Sequence, residues 1–439
     1  MIIKEGERMK QLIYHANMMT MNEKNDVVTD GYLVVEDGQI IEIGTGIPKQ
    51  TFAVKYDMKG KWLLPGLINS HTHTPMTLLR GVGDDLPLKR WLEEAMWPLE
   101  GKLEQADVIT ASSLAIIEML KSGTTTFLDM YHLFLDDIGQ LIVDSGIRGV
   151  LTRGMIGHCN KEEQQMKLQE SLRIAKSWKA AGHGRVTTML SPHAPYTCPP
   201  EFIAQVVEAA NVEQLPLHIH LCETKREVDD HVLQYGKRPV QYLAELGFFE
   251  RYALVAHAVW VTEEEIELFA EKQVAVSHNP LSNLKLASGI APISAMIASG
   301  VNVSLGTDSV ASNNTFDLFQ EMRMAALLQK GVTQNAEMIP AETALRMATI
   351  NGARALALDH VGSLEVGKQA DFITIDSNKP HFQPADHMPS HLVYTASGSD
   401  VVDVFVQGKQ LVKDGQCLTL DEEKIMAEVN QRFSRLLYK

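Results

Sequence analysis

The sequence is poor in cysteine, in cationic charge and in long apolar runs, and each shortage removes a class of protein. Its four cysteines, Cys159, Cys198, Cys222 and Cys417, are scattered through 439 residues with no CxxC spacing. That argues against a disulfide framework and suits a reducing compartment. The formal net charge is -15. Nucleic acid and anionic membranes both need concentrated Lys and Arg, so neither is an expected partner; a small substrate with an anionic group stays compatible. No apolar run approaches the ~20 residues that span a bilayer. The N-terminal MIIKEGERMKQLIYHANMMTMNEKN puts charges where a signal peptide has its apolar core. A soluble, cytoplasmic protein is expected, with residues 1–8 as an upstream extension because patterned sequence begins at Met9.

What is abundant is core-forming sequence: 45% of residues are hydrophobic, as in an ordinary globular protein. Eight apolar strand candidates recur, at Leu63–His73, Thr124–Met130, Gly149–Gly154, Val186–His193, Leu215–Glu223, Ala253–Trp260, Val274–Asn279 and Val301–Asp308. Helical patterns such as Ala106–Lys121, Glu162–Ala181 and Glu263–Lys272 fall between them. Such alternation implies an α/β chain with a parallel sheet. Eight units imply a closed (β/α)8 TIM-type barrel with functional residues at the C-terminal strand ends. An open doubly wound sheet would normally declare a Gly-rich phosphate turn after its first strand, and none is present. At the chain ends the signals are of short strands. Asp37-Gly38 between GYLVVE and QIIEIG marks a hairpin, and VFVQGKQLV echoes LVVEDGQII. The expected organisation is a catalytic barrel at 63–362 flanked by residues 1–62 and 363–439. These two segments form one small β-sandwich domain from both ends, the second adding a terminal helix.

The first barrel strand, in LLPGLINSHTHTPMTLL, delivers His71 and His73 with only Thr72 between them. Alternate strand residues share a face, so both imidazoles leave the strand end side by side. Neutral imidazole is the commonest protein ligand for zinc and similar ions. The fifth strand, LPLHIHLCE, puts His218 and His220 on one face. One of them suffices as a ligand; His220 lies nearer the mouth, and the spacing leaves a swap open. Glu223 falls one position past that alternation. Further strand ends supply Arg153, His193, His257, His278 and Asp308. A lone strand-end His is more often a hydrogen-bonded core residue than a ligand. Convergence of so many at one mouth points instead to one divalent ion, held by three His and one Asp with an open water position. About fifty residues separate the first two strands, and Arg80–Glu100 among them reads as a lid or binding loop rather than a plain crossover helix.

The stretches PGLINSHTHTPMTLLRG, TRG, SPHAPY, HIHLCET, AHAVW, SHNPLSNLKLASGIAP and LGTDSVASNN together resemble the amidohydrolase superfamily. Within it they look most like the 5-methylthioadenosine/S-adenosylhomocysteine deaminases, over nearly the whole chain from Met9. The resemblance implies His71, His73, His220 and Asp308 as ligands of one divalent ion per subunit, most often Zn2+. It implies Glu223 as the proton-transfer glutamate, His257 beside the attacking water and Asp308 as acceptor of that water's proton. For the substrate it implies Glu100 at the ribose hydroxyls, His193 and Arg153 as further contacts and Trp91 as a lid residue, with Glu223 and Asp308 reaching the reacting ring. A second cationic contact expected after TRG is displaced in spacing, and Lys167 is the nearest match. The implied reaction is hydrolytic deamination of 5′-methylthioadenosine, S-adenosylhomocysteine or adenosine to the inosine-type product and ammonia. The implied assembly is a homodimer or homotetramer.

A rival for the same ligand set is deamination or dechlorination of another ring, such as guanine, cytosine or an s-triazine. Cyclic-amide hydrolysis, as in dihydroorotase-like relatives, uses two metals bridged by a modified lysine of the fourth strand, and RVTTMLSPH has no lysine. A barrel turned scaffold normally loses ligands, whereas every such position is filled here.

Overall fold

The computed structural model describes residues 10–438; the extension read at residues 1–8 lies outside the described residues. Eight parallel strands form the barrel: β1 (Leu67–Thr72), β2 (Thr124–Tyr131), β3 (Arg148–Met155), β4 (Val186–Pro192), β5 (Leu217–Leu221), β6 (Ala253–His257), β7 (Ala275–His278) and β8 (Asn302–Leu305). Each falls on one of the expected apolar runs. Backbone ladders join neighbours from β1 round to β8. The last seam, β8 to β1, is closed differently. Ser70 Oγ donates to Leu305 O at 2.8 Å, Asn69 Nδ2 donates to Thr307 Oγ1 at 2.7 Å, and Thr307 N donates to Asn69 Oδ1 at 3.0 Å. Beside them Asp308 N donates to His71 O at 3.0 Å. Short polar side chains thus satisfy buried groups that a ladder would otherwise pair.

The run expected as one strand at Leu63–His73 is two. Trp62–Pro65 belongs to a second sheet, β1 to the barrel, and Gly66 is the joint. A Cβ on Gly66 would stand 2.1 Å from Thr125 Oγ1, so the chain crosses between sheets where only glycine fits. The apolar pattern runs unbroken because both pieces are buried.

Among the described residues the second sheet holds nine strands from both chain ends in one continuous hydrogen-bonded array, the realised form of the expected two-ended β unit. Trp62–Pro65 pairs antiparallel with Phe372–Ile375 and so ties the N-terminal strands to the C-terminal ones. Both expected hairpins turn through positive φ: Asp37 and Gly38 at 50° and 80°, Gln407 and Gly408 at 49° and 69°, the signature of type I′ turns. The terminal helix Glu422–Tyr438 docks on the helix Gln105–Lys121, where Arg432 and Arg435 reach the buried Asp107. Among the described residues no helix is long and apolar enough to cross a membrane.

One ion pair clamps the barrel to the second sheet. Arg148, at the start of β3, donates to Asp371 from Nε at 2.8 Å and from Nη2 at 3.2 Å, both side chains being 2% exposed or less. Asp371 Oδ1 also accepts from Gln407 N at 2.7 Å. Removing one partner of a buried pair strands the other charge, so Asp371→Ala is expected to cost about 3–5 kcal/mol. The loss reads as a lower denaturant midpoint at unchanged slope; an unchanged midpoint would show the clamp to be energetically idle.

Candidate metal and active site

At the mouth of the barrel four imidazoles each commit one ring nitrogen to a protein acceptor. His73 Nδ1 donates to Met130 O at 2.5 Å, and His220 Nδ1 donates to His193 O at 2.7 Å. His257 Nδ1 donates to Asn283 Oδ1 at 2.8 Å. The fourth case settles the open question in the HIH pair. His218 Nδ1 donates to Leu254 O at 2.9 Å, which leaves its Nε2 to accept from His71 Nδ1 at 2.9 Å. His218 therefore lies within the barrel and orients His71, while His220 stands at the mouth. In all four mouth residues (His71, His73, His220 and His257) Nε2 is the ring nitrogen left to face a cation, and it offers the lone pair a cation requires whenever the ring is neutral.

Those lone pairs converge with one carboxylate. His220 Nε2 lies 3.4 Å from His73 Nε2, His73 Nε2 lies 3.2 Å from Asp308 Oδ1, and His71 Nε2 lies 3.7 Å from the same oxygen. Ligands bound at 2.0–2.1 Å to a tetrahedral ion stand about 3.3–3.4 Å apart. His71 Nε2 is buried with no hydrogen-bond partner among the described residues, an orphan that such an ion would satisfy. A ring nitrogen of His257 falls within 4.8 Å of ligand nitrogens of His71 and His220. The donor set and its spacing fit one divalent cation.

Electrostatics favours the same occupant. Burial, then the charge of neighbouring histidines, holds His71 and His220 well below the ordinary imidazole value, so both are neutral. Burial acts to lower His73 too, but the hydrogen bond and charge of Asp308 outweigh it and raise His73. Burial pushes the Asp308 carboxyl up, yet the His73 hydrogen bond and charge more than offset this and leave it below the usual carboxylate range. The proton this pair attracts stands where a cation would compete. Asp308 is also held by Ser282 Oγ at 2.6 Å, Ser312 Oγ at 3.1 Å and its neighbour Ser309 N at 2.8 Å.

Glu223 lies beside this cluster. Its backbone follows Cys222, a non-glycine residue at φ 52°. That left-handed turn ends the strand alternation and carries the side chain onto the cavity wall. Oε1 accepts from Ser288 Oγ at 3.2 Å, and Oε2 is 3.8 Å from His257 Nε2. Burial raises the Glu223 carboxyl above its ordinary value, opposed by the charge of His257. His257 and Asp308 also sit at positive φ, 75° and 61°. Three strand ends are thus bent at the site, each conformation held by the packing around it.

A cavity of about 300 Å³ opens over the cluster, lined by His73, His220, Glu223, His257 and Asp308 and by Trp91, Glu100 and His193. The stretch expected as a lid or loop is helical across Leu88–Glu100, with a π-helical turn at Trp91–Met96, yet it lines the cavity through Trp91, Trp97 and Glu100. A π-turn inside a helix commonly marks a functional site. Glu100 Oε1 accepts from Tyr131 OH at 2.8 Å, and burial raises the Glu100 carboxyl despite that bond. Arg153 stands apart from the cavity lining: its Nε donates to Glu170 Oε2 at 2.6 Å. Lys167 Nζ donates to Ile156 O at 2.8 Å, near Cys159 Sγ at 3.3 Å. His278, at the end of β7, is buried away from that lining with both ring nitrogens unpartnered. Sequence reading passed over the lining residues Tyr131 and His132 and the supporting Ser282, Asn283 and Ser288. Tyr131 and His132 follow directly on the second strand expected at Thr124–Met130, which was the available signal.

Comparison with known proteins agrees with this geometry. The model of the amidohydrolase family matches residues 62–411. The chain is 50% identical over 432 residues, 98% of this chain and 100% of the other, to the 5-methylthioadenosine/S-adenosylhomocysteine deaminase of Shouchella clausii. A solved adenosine deaminase from Xanthomonas campestris with bound zinc aligns over 98% of this chain and 99% of its own, with TM-score 0.92 and 36% identity. An atrazine chlorohydrolase from Arthrobacter aurescens complexed with zinc aligns over 96% of this chain and 100% of its own, with TM-score 0.90 and 25% identity.

Because His218 only orients His71, His218→Ala is expected to weaken Zn2+ binding about 10–100-fold without abolishing it, whereas His71→Ala and His73→Ala abolish retention. Competition with a chromophoric chelator measures both effects. Equal affinity in His218→Ala and the parent would show that the bond between the two rings is incidental.

Proposed function

This chain belongs to the amidohydrolase family, and on that premise we propose that it is a metal-dependent hydrolytic deaminase of 5′-methylthioadenosine and S-adenosylhomocysteine. The observation that carries the reading is one cavity holding the His and Asp cluster, the buried Glu223 beside it and a second buried carboxyl, Glu100. Identity of 50% along the whole chain to a deaminase of that name supports the substrate class. The proposal includes one Zn2+ per subunit, held by His71, His73, His220 and Asp308, which zinc in both solved neighbours supports. From the family resemblance it also includes a cytoplasmic homodimer or homotetramer.

When bound, a divalent cation lowers the pKa of a coordinated water toward neutrality and so supplies the nucleophile. The protein's own groups do the rest. Asp308, held as a carboxylate, accepts the proton that the attacking water gives up. Glu223, whose carboxyl burial raises above its ordinary value, protonates the purine nitrogen next to the carbon under attack and makes that carbon electrophilic. His257, its Nδ1 fixed by Asn283, leaves Nε2 free to stabilise the attacking oxygen. The proton taken up by Asp308 then passes to the exocyclic amine, which departs as ammonia, while the hydroxyl on that carbon returns its proton to Glu223 and becomes the carbonyl. Glu100 Oε1 is engaged by Tyr131, and Oε2 accepts from the ribose hydroxyls. Trp91 and His193 contact the nucleoside from other parts of the cavity wall. Arg153 reaches a substrate tail only by leaving Glu170.

Each positioned proton transfer is worth about 10²–10⁴-fold. Glu223→Gln is therefore expected to lose at least about 10²-fold in kcat while retaining its zinc, and near-normal turnover in that variant would reject the role. Glu100 yields a pH test. Its carboxyl is raised above the ordinary ~4.3, so as pH falls it gains a proton, and loses acceptor strength, sooner than a free glutamate does. KM for the nucleoside is expected to climb on the acid side, and Glu100→Gln to flatten that arm; an identical acid arm in the variant would remove Glu100 from ribose binding. Likeness to an atrazine chlorohydrolase supports a second reading, action on another ring. Ammonia release from adenosine thioethers, adenosine, guanine and cytosine, with chloride release from a chlorotriazine, separates the two: turnover of a free base or a triazine alone would favour the second.

A further inference from the structure

Two helices of the barrel open with the same four-residue signature, Thr-x-x-Glu, yet use it differently. In the helix Glu263–Glu271 the signature closes as a capping box, with the Glu265 carboxylate also paired to Arg238. Glu265 N donates to Thr262 Oγ1 at 3.3 Å, and Thr262 N donates back to Glu265 Oε2 at 2.8 Å. In the helix Lys225–Tyr235 the first half is the same, Glu227 N donating to Thr224 Oγ1 at 3.1 Å. The carboxylate, however, reaches past Thr224 to two residues outside the helix. Cys222 N donates to Glu227 Oε1 at 3.0 Å, and Glu223 N donates to Glu227 Oε2 at 2.7 Å. Both oxygens are thereby used on consecutive peptide groups, beyond the last residue of β5.

Those two peptide groups make the turn that aims Glu223. Cys222 is at φ 52°, an uncommon conformation for a residue with a Cβ. Its carbonyl is pinned from the other side, accepting from Val259 N at 3.1 Å and Trp260 N at 2.9 Å. Glu227 is 7% exposed, in a place where a carboxylate without donors would be costly. We infer that Glu227 is a positioning residue for the reaction: it holds the Cys222–Glu223 turn so that the Glu223 carboxyl faces the cavity. This inference rests on the proposed proton-transfer role of Glu223. A cap needs only the bond back to the helix's own N-cap residue, which Glu265 gives to Thr262 and Glu227 does not give to Thr224.

The test uses the zinc-loaded, full-length enzyme on 5′-methylthioadenosine, with kcat, KM, zinc content and amide hydrogen exchange measured in each variant. Glu227→Gln keeps one acceptor and sets an NH2 group against the second N–H, and Glu227→Asp keeps both oxygens but falls a methylene short. Misplacement of a catalytic group by about 1 Å costs about 10²-fold. Both variants are therefore expected to lose about 10–100-fold in kcat, with KM within about threefold and zinc retained. Exchange at Cys222 and Glu223 is expected to quicken. Thr262→Val, which opens the capping box of the other helix and leaves Glu265 on Arg238, is expected to leave kcat within about twofold. In a Glu223→Gln background the further change Glu227→Gln is expected to cost nothing more, because the two act as one unit. A normal kcat in Glu227→Gln, with Glu223→Gln inactive, would overturn the positioning role and leave the proton role standing. A further loss on adding Glu227→Gln to Glu223→Gln, by the same factor that Glu227→Gln costs alone, would show that Glu227 acts on folding rather than through Glu223. Near-normal turnover in Glu223→Gln would end both readings.

Discussion

The site depends on one constraint, that each imidazole at the barrel mouth spends one nitrogen on the protein and keeps the other. A histidine with both nitrogens free can adopt either tautomer and swing about χ2, and is a poor ligand for that reason. Here main-chain carbonyls of neighbouring strands take the Nδ1 protons of His73 and His220, and His218 takes that of His71. The acceptors are Met130 O at the end of β2 and His193 O just past β4, so the barrel's own curvature sets the ring directions. Such outer partners fix both tautomer and orientation.

Burying this much polarity would be costly without compensation. The compensation is built into the β8–β1 seam, where Ser70, Asn69, Thr307 and Ser304 satisfy one another and the strand carbonyls. The seam ends at Asp308 N on His71 O, which joins two members of the cluster through the backbone. Closing the barrel and assembling the cluster are therefore one event. Gly306 belongs to the same fit, because a Cβ there would meet Asn279 Oδ1 at 2.5 Å and Ser277 Oγ at 2.6 Å. The two carboxylates beside the cluster are supported differently. Asp308 is ringed by serine hydroxyls and held below the usual carboxylate range, whereas Glu223 has one serine and a burial that raises its carboxyl. Environments that separate two acids in this way are what acid–base chemistry at neutral pH requires.

Much of this was legible in the residues themselves. Period-two alternation determined that His71 and His73 share a direction, and likewise His218 and His220, because a strand's geometry is local. Positive-φ chemistry at Asp37-Gly38 determined a hairpin for the same reason. Eight apolar runs separated by helical patterns determined a barrel, since few other topologies bury eight parallel strands. Tertiary structure alone decided the rest. It assigned His218 to His71 rather than to an ion, broke the Leu63–His73 run at Gly66 and tied Arg153 to Glu170. It also turned Glu223 inward through a left-handed Cys222 held by Glu227. Spacing along a chain encodes the direction of a side chain relative to its own neighbours. It does not encode which atom that side chain meets from a strand 150 residues away, such as His218 from His71 (|i−j| = 147), and at this site those meetings set which nitrogen each ring keeps free.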